Sequence, residues 1–162
     1  MRAILFAILI ALTTTNAQAF FWDSQPKVDP EAVECMAKAI YFEAGSESQK
    51  GKIAVAKVVM NRVNSGGVYP SKVCDVVYQR NSDRRGCQFT WACRKNARIV
   101  SNDMYEEAKS IAEAVLEGKI KEDPSLGSIS FNNAPFPGLR HHLKIGNHYF
   151  YKSRHIQIAS GE

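Results

Sequence analysis

The chain has 162 residues, 45% of them hydrophobic and 23% charged, enough for one domain with a real core but short for two. Its net charge of +5 comes from 21 Lys and Arg against 16 Asp and Glu. The excess is dispersed, with only short clusters such as Arg84-Arg85 and Arg94-Lys95, so no nucleic-acid-binding stripe is implied, and a mildly basic surface suits an anionic polymer.

The first element reads as an export signal. Met1-Arg2 supplies a short positive start, Ala3 to Leu12 is an unbroken run of ten apolar residues, and Asn16-Ala17-Gln18-Ala19 ends in the A-x-A pattern of a cleavage site. Ten residues at a rise of about 1.5 Å each fall well short of a ~30 Å hydrocarbon core, which weighs against an uncleaved anchor. Residues 1–19 are therefore expected to be a signal peptide, and its loss removes Arg2 and lowers the charge to +4. The mature chain is expected in the periplasm or the cell wall, without stable membrane insertion. Residues 20–30, with two prolines, read as an N-terminal arm ahead of a single domain over 31–162.

From Val33 a helix is predicted, with Val33, Met36, Ala37, Ile40 and Tyr41 recurring at i, i+3, i+4, i+7 and i+8, and Gly45 ending it. Ser46 and Gln49 have the spacing of a capping box and open a second helix to about Asn64, stopped by Gly66-Gly67. The middle of this helix, Ile53 to Met60, is apolar almost all round apart from Lys57, which places it in the core. Tyr69 to Asn102 reads as loops with short helical turns. A third helix follows, with Asp103 as candidate N-cap and Met104, Ala108, Ile111, Ala112 and Val115 on one face before Gly118. After Pro124 the period changes to two around Ile129 and Phe131, a loop runs through Asn133 to Gly138, and Ile145 to Ile158 offers a returning strand. The expected fold class is α+β, mainly helical with a small antiparallel element.

Four cysteines, Cys35, Cys74, Cys87 and Cys93, are expected to pair once the chain is exported. Three connectivities are possible and the spacing does not choose among them; Cys87–Cys93 is favoured because its loop is short, which leaves Cys35 with Cys74. No C-x-x-C spacing supports a metal site. His141, His142, His148 and His155 likewise lack any H-E-x-x-H arrangement, so no metal or cofactor is expected.

One carboxylate stands out in the stretch AIYFEAGSES, residues 39–48. On a helix turning about 100° per residue, Glu43 falls roughly 20° from Met36 and 60° from Ile40, at the edge of the apolar stripe. A carboxyl so placed loses solvation, which raises its pKa and equips it to donate a proton near neutral pH. A glutamate in the last turn of a helix is more often a solvated surface group, and the pattern alone favours that reading.

The run Cys35 to Val63, CMAKAIYFEAGSESQKGKIAVAKVVMNRV, shifts the balance. It resembles the opening of the SleB/CwlJ-type cell-wall hydrolases, the family that includes spore cortex-lytic enzymes. That family shows an acid in a Y/N-x-E-A-R-G-E setting followed by a G-Q-x-A-V-A-x-V-V-x-N-R-V helix. Further matches are Tyr69 to Gln79, Gly86-Cys87-Gln88-Phe89-Thr90-Trp91, and Ile145-Gly146-Asn147-His148-Tyr149-Phe150-Tyr151, in the same order. The chain departs from the pattern at Gly45-Ser46, where the family has Arg-Gly, and at Phe131, where a tyrosine is common.

The resemblance implies a lysozyme-like or lytic-transglycosylase-like fold that cuts peptidoglycan glycan strands at the MurNAc-GlcNAc β-1,4 bond, with Glu43 as general acid/base. A usual hydrolase wants a second carboxylate about 5–9.5 Å away. Glu47 and Asp75 are the candidates, neither obviously across a cleft, which leans the reading toward transglycosylation, where the substrate supplies its own nucleophile. Phe89, Trp91 and Asn133 are candidate sugar-binding residues, with core packing the competing role for the aromatics. Glu47 and His148 are weighed as substrate contacts against structural roles, and Asn61 as a brace for backbone near the second helix end. Two rivals remain: a Cys/His peptidoglycan peptidase built on Cys35 and His148, and a wall-binding module that has lost the chemistry.

Overall fold

The computed structural model describes residues 28–81 and 86–152. The signal peptide expected over 1–19, nearly all of the arm, Arg84-Arg85 and His155 lie outside the described residues. Helix α1 spans Pro30–Ala44, α2 Gln49–Ser65, α3 Val73–Val77 and α4 Asn102–Leu116, with a 3-10 turn at Thr90–Cys93. Strands β1 (Ser130–Asn132), β2 (Leu143–Ile145) and β3 (His148–Tyr151) form an antiparallel sheet in the order β1-β3-β2. This is the mainly helical α+β domain expected.

Helix α1 starts earlier than its apolar pattern suggests. Pro30 occupies the first turn, where a missing N–H costs nothing, and Asp29 caps the helix by accepting from Glu31 N at 3.0 Å. The caps of α2 and α4 also shift. Ser48 rather than Ser46 caps α2, accepting from Gly51 N, and Ser101 rather than Asp103 caps α4, accepting from Met104 N. Either hydroxyl or carboxylate of the paired candidates can satisfy orphan N–H groups, so the choice falls to tertiary position.

Helix α2 is the central element. Ala54, Val55, Ala56, Val58 and Val59 have no exposed surface, as its all-round apolar middle requires. Ala56 and Val59 join α1, α3 and α4 in the main core, with Met36, Ile40, Val76, Ile111 and Ala112. Ala54 and Val58 meet Ile145 and Phe150 of the sheet in a second cluster. The buried Lys52 is tolerated because its ammonium reaches Glu107 of α4 at 2.6 Å. Lys57 donates to Ile120 O at 2.6 Å, tying down the chain after α4.

The returning strand is a hairpin. Gly146-Asn147 makes a two-residue turn, with Gly146 at φ +55°, so that β2 and β3 pair with Ile145 opposite His148. Two disulfides brace the helical side: Cys35–Cys74 joins α1 to α3 across a Cα distance of 5.3 Å, and Cys87–Cys93 closes the loop before the 3-10 turn at 5.7 Å. This is the favoured pairing. Asn61 braces the loop ahead of β1, donating to Asp123 Oδ2, Ser125 Oγ and Ser128 O. Burial pushes Asp123 up, but hydrogen bonds from Ser125, Asn61 and Gly127 outweigh it and hold the carboxyl below its usual range.

Candidate functional site

Glu43 sits in the last turn of α1, half-buried, one residue before the helix ends. Gly45 follows in a right-handed conformation (φ −55°), so its value lies in space and not in backbone freedom. A Cβ there would stand 2.6 Å from Tyr41 O and 2.8 Å from Met104 Cε. The tighter of the two contacts is with the backbone of α1 itself, so a side chain at this position requires the end of α1 to shift as well as the Met104 side chain of α4 to move. Tyr41 ties the end of α1 to α4: its hydroxyl accepts from Val100 N at 3.0 Å and Ser101 N at 3.1 Å, at the entry to α4.

Aromatic rings wall the acid. Phe42 stacks on Trp91 with centroids 4.6 Å apart and planes 26° from parallel, and Trp91 leans on Phe89 at 6.3 Å. Burial raises the pKa of Glu43 above the usual glutamate range, opposed by the positive charge of Arg62, the Trp91 indole and the charge of Arg94. The indole N–H lies close enough to favour the ionised carboxylate, yet makes no hydrogen bond of ordinary length and angle. Desolvation wins because water is excluded from most of the carboxyl while no compensating donor fully engages it.

Arg62, in the last turn of α2, is the residue that the sequence did not single out. It is 4% exposed, donates from Nε to Ile129 O at 2.8 Å, and lies over the rings of Tyr69 (5.4 Å) and Phe89 (5.1 Å). Its Nη1 finds no hydrogen-bond partner. Burial lowers its pKa, while Tyr69 and Glu43 support its charge. A signal was present: Val55, Val58, Val59 and Arg62 fall at i, i+3, i+4 and i+7, so the arginine continues the buried stripe of α2.

The other predicted residues divide. Trp91 lies beside the acid and Phe89 lies behind it against Trp91 and Arg62, but at 8% and 2% exposure they are walls first, and Phe89 has no face to offer a sugar. Glu47, in the link between α1 and α2, turns to the β2–β3 hairpin. It accepts from Asn147 Nδ2 at 2.8 Å and Asn147 N at 3.3 Å, and a Cβ on Gly146 would collide with its Oε2. His148 is 2% exposed, set edge-on to Phe131 at 4.9 Å, with its pKa lowered by burial against the opposing charge of Glu47. Of the two roles weighed for it, its burial and its contact with Phe131 favour the structural one. Asn133 is exposed just past β1, and Asp75 is exposed on α3. The Cys/His dyad is overturned, because Cys35 is bonded to Cys74 and no free cysteine exists among the described residues.

A half-buried carboxyl whose pKa is raised by burial, with the Trp91 indole and the charges of Arg62 and Arg94 near it, has the chemistry to hold and deliver a proton in a water-poor setting. The family model of cell wall hydrolases matches residues 46–151. The chain belongs to that family; the matched span begins just after Glu43. Three spore cortex-lytic enzymes are similar. That of Oceanobacillus iheyensis is 31% identical over 62% of this chain and 32% of the relative. Those of Bacillus subtilis and Halalkalibacterium halodurans are each 29% identical, over 73% and 74% of this chain and 36% and 30% of the relatives. The chain thus spans about a third of the length of these relatives. No solved structure gives a significant match.

Proposed function

We propose that the protein is an exported peptidoglycan glycosidase that cuts glycan strands at the MurNAc-GlcNAc β-1,4 bond with Glu43 as general acid/base. The observation that carries this reading is membership of the cell wall hydrolase family, supported by the placement of Glu43, half-buried at the end of α1 where burial raises its pKa against the charge of Arg62. Two disulfides accord with an oxidising compartment outside the cytoplasm.

The protonated carboxyl of Glu43 donates its proton to the bridging oxygen as the C1–O bond breaks and positive charge develops on the ring carbon. The carboxylate left behind is stabilised by the nearby Arg62 and Arg94 charges. It then accepts the proton of the incoming nucleophile, which regenerates the acid. The charges that bear most on Glu43 are both cationic, and Glu47 is engaged with Asn147. That distribution favours a nucleophile supplied by the substrate: the muramoyl 6-hydroxyl attacks C1 and leaves a 1,6-anhydro end, rather than a carboxylate forming a glycosyl-enzyme. Hydrolysis by water is the competing outcome.

Purified sacculi treated with the wild-type protein and with Glu43→Gln test the proposal, with the released muropeptides resolved by mass. Release of 1,6-anhydro products by the wild type alone is expected. Reducing ends would assign hydrolysis, and equal absence of digestion by both proteins would leave a wall-binding module.

A further inference from the structure

The two disulfides differ in what they hold. Cys35–Cys74 spans a sequence separation of 39 and joins α1 to α3, with Cys35 buried and Cys74 partly so. Cys87–Cys93 spans a separation of 6, and Cys93 is exposed. Loop-closure entropy grows with loop length, so the first bridge contributes more to stability. The second encloses Gln88 to Ala92, and with them Phe89 and Trp91.

The two ends of that short loop are anchored unequally. Cys87 pairs with Arg80 in an antiparallel bridge, Gln88 N donates to Gln79 O at 2.9 Å, and the Gln79 side chain donates to Val68 O at 2.7 Å. This end is tied into the chain on either side of α3. Beyond Trp91 the chain stands in solvent, with residues 93–98 all exposed. The 3-10 turn is closed by local bonds, Ala92 N to Phe89 O and Arg94 N to Trp91 O, both at 2.9 Å. Farther on, the Tyr41 hydroxyl accepts from Val100 N and Ser101 N. The Cys87–Cys93 bridge therefore passes the anchorage of Cys87 to a turn whose far side is open to water.

The surroundings of Glu43 depend on where that turn stands. Trp91 stacks on Phe42 at 4.6 Å and its indole bears on the carboxyl, as does the charge of Arg94, one residue past the bridge. A displacement of about 1 Å in such groups can cost on the order of 10²-fold in rate.

We propose that the Cys87–Cys93 disulfide is the positioning bond of the candidate site: closed, it holds the 3-10 turn so that Trp91 walls Glu43, and opened by an external dithiol it releases the turn and lowers turnover while the fold persists. The proposal rests on the glycosidase reading above. Opening is a thiol–disulfide exchange. One thiolate of the dithiol attacks the exposed Cys93 sulfur and the Cys87–Cys93 bond breaks. The second thiolate then displaces Cys93, so the reductant leaves as its own disulfide and its two protons remain on Cys87 and Cys93.

The test uses full-length oxidised protein carrying Trp22→Phe, which leaves Trp91 as the one indole of the two in the sequence. Limiting dithiothreitol is added, and the opened cysteines are assigned by alkylation and mass mapping. Cys87–Cys93 is expected to open before Cys35–Cys74. At that stage Trp91 emission should move to longer wavelength with far-UV circular dichroism retained. Turnover on sacculi should fall about tenfold or more, with KM changed less. Burial is the largest influence on the Glu43 carboxyl, so the limb of the pH profile that reports its proton should move downward as water enters. Reoxidation should restore the rate. Cys87→Ser with Cys93→Ser should reproduce the loss without reductant, whereas Cys35→Ser with Cys74→Ser should lower the melting temperature more and the rate less. Full turnover and an unmoved pH limb with Cys87–Cys93 open would overturn the proposal, as would a rate lost only in step with the far-UV signal. Its failure is separable from that of the glycosidase reading: cutting that is indifferent to the bridge removes only the positioning role, and an emission shift in a protein that never cuts sacculi removes only the catalysis.

Discussion

Glu43 and Glu47 stand four residues apart, yet their surroundings have almost nothing in common. Glu43 ends a helix whose inner face is wholly buried, so its carboxyl is desolvated among Phe42, Trp91 and the guanidinium of Arg62. Glu47 lies in the link that follows, where its two oxygens accept from the backbone and side chain of Asn147 at the tip of the β2–β3 hairpin. A half-buried acid without sufficient donors keeps its proton to a higher pH than a solvated one, whereas one with both oxygens engaged holds chain segments together. The break at Ala44-Gly45-Ser46 is what lets consecutive turns of chain face such different environments.

Replacing each acid separates these roles most strongly. Glu43→Gln is expected to lower glycan cleavage by about 10²- to 10⁴-fold with the fold retained, the usual worth of a positioned proton donor. Initial rates on sacculi, with circular dichroism as the fold control, provide the measurement. A residual rate within a few-fold of wild type would mean that another group supplies the proton.

Arg62→Met probes the polar side of the same site. It removes the bond to Ile129 O and the contacts with the Tyr69 and Phe89 rings, at a cost of about 2–3 kcal/mol in a urea titration. It also removes the strongest charge opposing the burial of Glu43, so the pH at which activity declines should move upward. The sign follows from the shift. A carboxyl whose folded-state pKa is raised remains a proton donor above the ordinary glutamate range and loses that ability as pH climbs through the raised value. Stability linked to the bound proton is fully present below the ordinary range and disappears over the same window.

Smaller effects are expected around Glu47. Gly146→Ala places a methyl group against Glu47 Oε2 on a backbone at φ +55°; a loss of about 1–2 kcal/mol should appear as a lowered melting temperature. Glu47→Ala leaves the Asn147 donors exposed to water and should cost about 1 kcal/mol. Its turnover is expected to stay within tenfold of wild type, and a loss comparable to that of Glu43→Gln would erase the distinction between the two acids.

Helical periodicity made much of this visible in advance. Residues 53–60 could be assigned to the core because their apolar character runs round the helix, and Glu43 could be placed at a core edge by angle alone. Tertiary choices were less legible. Ser46 and Ser48 are both competent caps, and only the path from α1 to α2 selects the second. The aromatic run ending in Tyr151 concealed a hairpin, since Gly146-Asn147 can turn within two residues. For Phe89, Trp91 and His148 the sequence leaves substrate contact and packing both open, because an aromatic ring gives the same signal in a core as in a cleft; their burial favours walls and packing. Arg62 does not stand out in the sequence, since a cation in the last turn of a helix suits the macrodipole at the surface equally well.

A carboxyl-detected NMR titration of the full-length protein tests the central claim most directly, when paired with the pH dependence of cleavage. Glu43 should titrate above the ordinary glutamate range, and the rate should fall over the same interval as that proton is lost. Titration of Glu43 at or below the ordinary range, or a fall in rate that does not follow it, would contradict the assignment of Glu43 as the proton donor.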